Sequence, residues 1–74
     1  MFLITTNKDI VNLDNCTLVS IPKDYPNEIN AFESDFIYAC GVYDSAEEAK
    51  KVLSKIIQAI ESGKHIYHMP LRGD

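Results

Sequence analysis

A single helix constrains this chain more than any other feature, and its start and stop are both written locally. Ser45 followed three residues later by Glu48 forms a capping box, in which each side chain accepts a hydrogen bond from the other residue's backbone N–H. Glu47 and Glu48 fall in the first turn, where the helix dipole favours negative charge. Ala49, Val52, Leu53, Ile56 and Ile60 recur at helical spacing and predict one apolar stripe. Lys50, Lys51, Ser54, Lys55, Gln58 and Glu61 fall mostly on the other side. Ile57 lies at the edge of the stripe and widens it, toward contact with a second chain. Gly63 closes the helix after Ser62, because the left-handed residue past a helix end is cheapest as glycine.

The segments around the helix read as short strands. Phe2–Thr5 is the first, and Ile10–Leu13 is its candidate partner across the turn residues Asn7, Lys8 and Asp9. After a second turn at Asp14 and Asn15, Cys16–Ile21 is rich in β-branched residues and reads as a strand. Pro22–Asn27 is a loop, since its two prolines cannot donate to a sheet. Glu28–Phe32 is the next strand, and Glu33-Ser34-Asp35 turns it back as a hairpin. Phe36–Tyr43 is the longest strand and is largely apolar on both faces, which predicts a central position with the helix on one side and a second copy on the other. Ala39 and Gly41 on that strand mark a close approach of the helix or of another backbone. Lys64–Met69 reads as a final short strand that Pro70 ends. The expected fold is α+β, one domain over residues 1–74, with an antiparallel sheet of four to five strands and one long helix across a face.

Charge and length exclude several classes of function. The 74 residues carry a formal charge of −4. Phosphate affinity needs clustered Lys and Arg, and here Arg72 is the one arginine and the lysines are scattered, so direct nucleic-acid binding and membrane-surface binding are disfavoured. No run is long enough to span a bilayer, and Met1-Phe2-Leu3-Ile4 is too short for a signal-peptide core, so a cytoplasmic location is expected. Cys16 and Cys40 are then expected as free, buried thiols. A chain this small holds a modest core, with a net stability of roughly 3–5 kcal/mol, and self-association is one way to raise it.

No residue set points to catalysis or to a cofactor. His65 and His68 would face opposite sides of a strand, a poor geometry for a shared metal. Asp9, Asn12, Asp14 and Asn15 do not match the ligand spacing of a calcium loop and read as turn formers. No phosphate-cradling glycine motif is present, and Arg72-Gly73-Asp74 reads as a chance tripeptide. No nucleophile, base and oxyanion donor can be named together, so the chain reads as non-catalytic, without cofactor or metal. Tyrosines are enriched at binding surfaces, and Tyr25 stands beside Lys23 in the proline-bearing loop. Lys23, Tyr25, Tyr67 and Arg72 are the candidate ligand-binding residues, suited to an anionic planar molecule such as a nucleotide.

Ile10-Val11-Asn12-Leu13-Asp14-Asn15, then Gly41-Val42-Tyr43-Asp44-Ser45 leading into Glu47-Glu48-Ala49, then Gly63 with Tyr67 and Met69-Pro70, carry a likeness. Over most of its length the chain resembles a family of short proteins of uncharacterised role from Gram-positive bacteria and their phages. The shared motifs are turns, a helix start and a tail, so the resemblance implies no activity and supplies no catalytic residues. It implies a phage or prophage origin, hence a host-cell cytoplasm. By analogy it points to a small binding protein that sequesters a nucleotide-type immune signal. The alternative is an acidic inhibitor or adaptor acting on a host defence or nucleic-acid-binding protein. In either case a homo-oligomer is expected.

Overall fold

The computed structural model describes residues 1–72. In chain order it contains β1 (Phe2–Ile4), β2 (Ile10–Asn12), a 3-10 turn (Leu13–Asn15), β3 (Leu18–Ser20), β4 (Glu28–Glu33), β5 (Phe36–Val42), α1 (Ala46–Glu61) and β6 (Ile66–His68). The class is α+β with one helix among the described residues.

The helix boundaries follow the local chemistry. Ser45 is extended, at φ −148° and ψ 161°, and its hydroxyl accepts from the Glu48 N–H at 3.1 Å. At the far end Gly63 takes φ 72°, and the Lys64 and Gly63 N–H groups donate to the Ala59 and Ile60 carbonyls, the paired bonds of a Schellman stop. The buried stripe is Ala49, Val52, Ile56 and Ala59, with Leu53 packed at its margin. Ile60, expected in the stripe, is exposed beside Ile57. Ala59 takes the buried position instead.

The strands form two three-stranded sheets, in the orders β2-β1-β6 and β3-β4-β5, rather than one sheet of four or five. The cause is a long-range pairing. After the helix, β6 returns parallel to β1, with Phe2 opposite Ile66 and Ile4 opposite His68. β2 already occupies the other side of β1, so neither edge of β1 is left for β3, β4 or β5. Just past β1 the Thr6 N–H donates to the Cys40 carbonyl at 3.1 Å, tying the first sheet to the second.

β5 is an edge strand, and β4 is the central one, which corrects the expected placement of Phe36–Tyr43. A β-bulge accounts for part of its two-faced apolar character. Ile29 pairs with Gly41 and Asn30 with Ala39, so Cys40 is the extra residue. On an unbroken strand Cys40 and Tyr43 would face opposite sides, yet both are buried in the core. The room at Gly41 is for neither the helix nor a foreign backbone. A Cβ there would stand 2.8 Å from Tyr43 Oη and 3.0 Å from Cε2, so the Tyr43 ring lies across the glycine. Its hydroxyl donates to the Pro70 carbonyl at 2.9 Å, and the Met69 N–H donates to the Ile4 carbonyl, which pins the segment after β6.

The turn residues spend their polar groups locally. Asn12 Oδ1 accepts from the Asp14 N–H, Thr5 Oγ1 accepts from the Asp9 N–H, and the Met1 ammonium donates to Asp14 Oδ1, each at 3.0 Å.

Candidate functional site

Two open clefts and two apolar sheet faces are the candidate surfaces. The first cleft, about 310 Å³, lies where the C-terminal turn of α1 meets β6. Lys55, Gln58, Ala59 and Ser62 reach it at the i, i+3, i+4, i+7 spacing of one helix face, and Lys64 and Tyr67 complete it. Its lining holds two lysines and no carboxylate, in a chain whose net charge is −4. Tyr67 is half-buried there, and loss of solvent raises its phenol above the ordinary range, so it stays a neutral hydrogen-bond donor.

The second cleft, about 350 Å³, is lined by Asp24, Tyr25, Pro26, Asn27, Glu28 and Val42. Tyr25 is 61% exposed at its rim. Two carboxylates in the lining give it the opposite electrostatic character from the first cleft.

The four sequence-selected residues are thus divided. Tyr67 lines the first cleft, Tyr25 lines the second, and Lys23 lines neither. The Arg72 guanidinium pairs with Asp44 at 3.0 Å, both side chains being well exposed. Gly73 and Asp74 of the Arg72-Gly73-Asp74 tripeptide lie outside the described residues. Lys55, Gln58, Ser62 and Lys64 were not selected from the sequence. Helical spacing could have placed Lys55, Gln58 and Ser62 together, but only the position of β6 brings Tyr67 against them.

The sheet faces are the larger feature. On the first sheet Leu3 and Val11 point into the core, and Phe2, Ile4, Ile10 and Ile66 occupy the outer face. Phe2 sits opposite Ile66 and Ile4 opposite Ile10, so these side chains are cross-strand neighbours. Ile10 is 70% exposed. On the second sheet Leu18, Phe32 and Ile37 form one row across three strands, opposite the face on which Ala31 is buried. The adjacent row is Ser20, Asn30 and Ala39. Asn30 is buried, and its side-chain oxygen has no hydrogen-bond partner among the described residues. Both rows are free of charge.

The cysteines are poor nucleophiles at neutral pH. Burial, with Cys16 nearby, pushes the Cys40 thiol up to about 11, and burial together with Glu33 raises Cys16. Among the described residues no three His, Cys, Asp or Glu side chains gather to hold a metal ion, and no helix is long and apolar enough to cross a membrane. Comparison of the chain with protein-family models, with curated proteins and with solved structures returned no match.

Proposed function

We propose that this chain is a non-catalytic binding protein that meets protein surfaces, its own copies included, through the uncharged apolar rows on its sheet faces. One observation carries the reading: the outer faces of both sheets present large apolar side chains in cross-strand register, Phe2–Ile66 and Ile4–Ile10 on one and Leu18–Phe32–Ile37 on the other. Contiguous apolar rows of this kind mark interaction sites in small soluble domains, whereas single exposed hydrophobics do not. Binding rather than catalysis fits the protonated thiols and the division of the candidate polar residues between separate clefts. The acidic remainder of the surface acts as a solubilising rim around these faces.

A second reading has its own support. The cleft of Lys55, Lys64 and Tyr67 has the positive charge and the aromatic face that an anionic, nucleotide-type ligand needs. Native mass spectrometry of the purified protein, with and without cyclic and ADP-ribose-type nucleotides, separates the two. The first reading expects complexes between copies and no nucleotide uptake. Uptake at fixed stoichiometry that disappears in Tyr67→Ala and Lys64→Ala would replace it with the sequestration reading.

A further inference from the structure

Three of the four free strand edges among the described residues are guarded by shortness. β2, β3 and β6 are each three residues long, β3 ends two residues before Pro22, and β6 ends two residues before Pro70. Short edges, prolines and charges are the devices by which sheets avoid pairing with other chains. β5 is different. It runs for seven residues without a proline or a charge, and β4 lies on one side of it only. Its second half is interrupted, because the bulge at Cys40 re-aims the strand and the Thr6 N–H donates to the Cys40 carbonyl. The open stretch is Phe36–Ala39, where Phe36 is 66% and Ile37 63% exposed.

Resting on the reading that the chain self-associates, we propose that two copies pair antiparallel along Asp35–Ala39, about a two-fold axis at Ile37. The two β3-β4-β5 sheets then become one sheet of six strands. An antiparallel strand pair is self-complementary under a two-fold rotation, which is what a symmetric dimer requires. Charge also favours a second copy here. A chain of net −4 repels its twin over most of its surface, but not along Phe36–Ala39, which carries no charge. In this register Asp35 faces Ala39 of the other copy and not a second carboxylate. The pairing also completes the outer row. Leu18, Phe32 and Ile37 stand side by side, so setting Ile37 against its counterpart carries the apolar row unbroken from one Leu18 to the other. On the opposite face the Phe36 and Tyr38 rings, stacked at 6.5 Å and 18°, come alongside a second such pair. A five-residue seam, Asp35–Ala39 on each copy, covers less than the roughly 800 Å² per partner of a standard interface. The dimer is therefore weak and reversible.

Hydrogen exchange at low and high protein concentration, on the wild type and on Ile37→Lys, tests this. Ile37 is exposed, so the lysine leaves the fold intact by circular dichroism, and it sets two ammonium groups opposite each other at the axis. The expected result is slower exchange of residues 36–39 as wild-type concentration rises, and a folded, monomeric Ile37→Lys without that protection. Self-association that persists in Ile37→Lys, with protection on 2–4, 10–12 or 66–68 instead, overturns the β5 seam while leaving association through the first sheet standing. A wild type that stays monomeric throughout overturns both. Should Ile37→Lys fail to fold, Ala39→Glu on the same exposed stretch gives the same readout, because it sets a second carboxylate opposite Asp35 of the other copy.

Discussion

Replacing Gly41 with alanine should cost this small domain a large share of its stability. The new Cβ would meet Tyr43 Oη at 2.8 Å, Cε2 at 3.0 Å and Cζ at 3.1 Å. An aromatic tip at the surface would swing aside, but Tyr43 is 1% exposed and its hydroxyl is held by the Pro70 carbonyl at 2.9 Å. Forcing the ring away loses a hydrogen bond of about 1 kcal/mol and strains packing by about 1–3 kcal/mol. Relief of glycine's backbone freedom returns about 0.5–1 kcal/mol. The net loss is about 2 kcal/mol, against a total of roughly 3–5 kcal/mol for a chain of this length. Urea unfolding reads this as a midpoint lowered by about 2 M at an unchanged slope of about 1 kcal/mol/M. The sharper assay is the cycle with Tyr43→Phe, which removes the 2.8 Å contact and leaves the ring carbons in place. Gly41→Ala should cost about 1 kcal/mol less in that background. Equal costs in both backgrounds, or a neutral Gly41→Ala, would refute the claim that the glycine exists to seat the Tyr43 ring.

Further expectations follow from single features. Asn30→Val removes a buried oxygen that has no partner among the described residues, and should raise stability by about 1 kcal/mol in the same urea titration. Ser34 holds φ 52° in the β4–β5 hairpin, so Ser34→Gly should add about 0.5–1 kcal/mol, read as a higher thermal midpoint. Burial holds Tyr43 protonated up to about 12 against an ordinary 10, and Cys40 up to about 11 against 9. Above pH 9 the unfolded chain therefore binds fewer protons than the folded one, and stability should fall from about pH 9 to pH 12. Urea midpoints across that range check it, and Tyr43→Phe should flatten the portion above pH 10.

Local chemistry made most of the elements legible. The helix start at Ser45, its stop at Gly63, the hairpin at Ser34 and the extended reading of 66–68 all rest on residues within a few positions of one another. Sheet membership was not legible, because it depends on β6 finding β1 across the intervening chain, and no periodicity encodes a parallel pairing at that separation. The same gap explains β5. Its composition reads as central because a strand apolar on both faces is usually covered on both, and the bulge at Cys40 that alters the alternation has no sequence signature here. The candidate site was only partly legible. Tyr25 and Tyr67 each line a cleft, but their separation, the engagement of Arg72 by Asp44, and the apolar rows on the outer faces all depend on register and tertiary placement.

The most direct test is sedimentation velocity on the wild-type chain over a wide concentration range, at physiological and at high salt. Association through the uncharged apolar rows of the sheet faces predicts a reversible self-association whose constant holds or tightens as salt rises, since apolar burial is not screened. A monomer at every concentration, or a complex that dissolves as ionic strength increases, would contradict it and return the acidic surface to the centre of the protein's function.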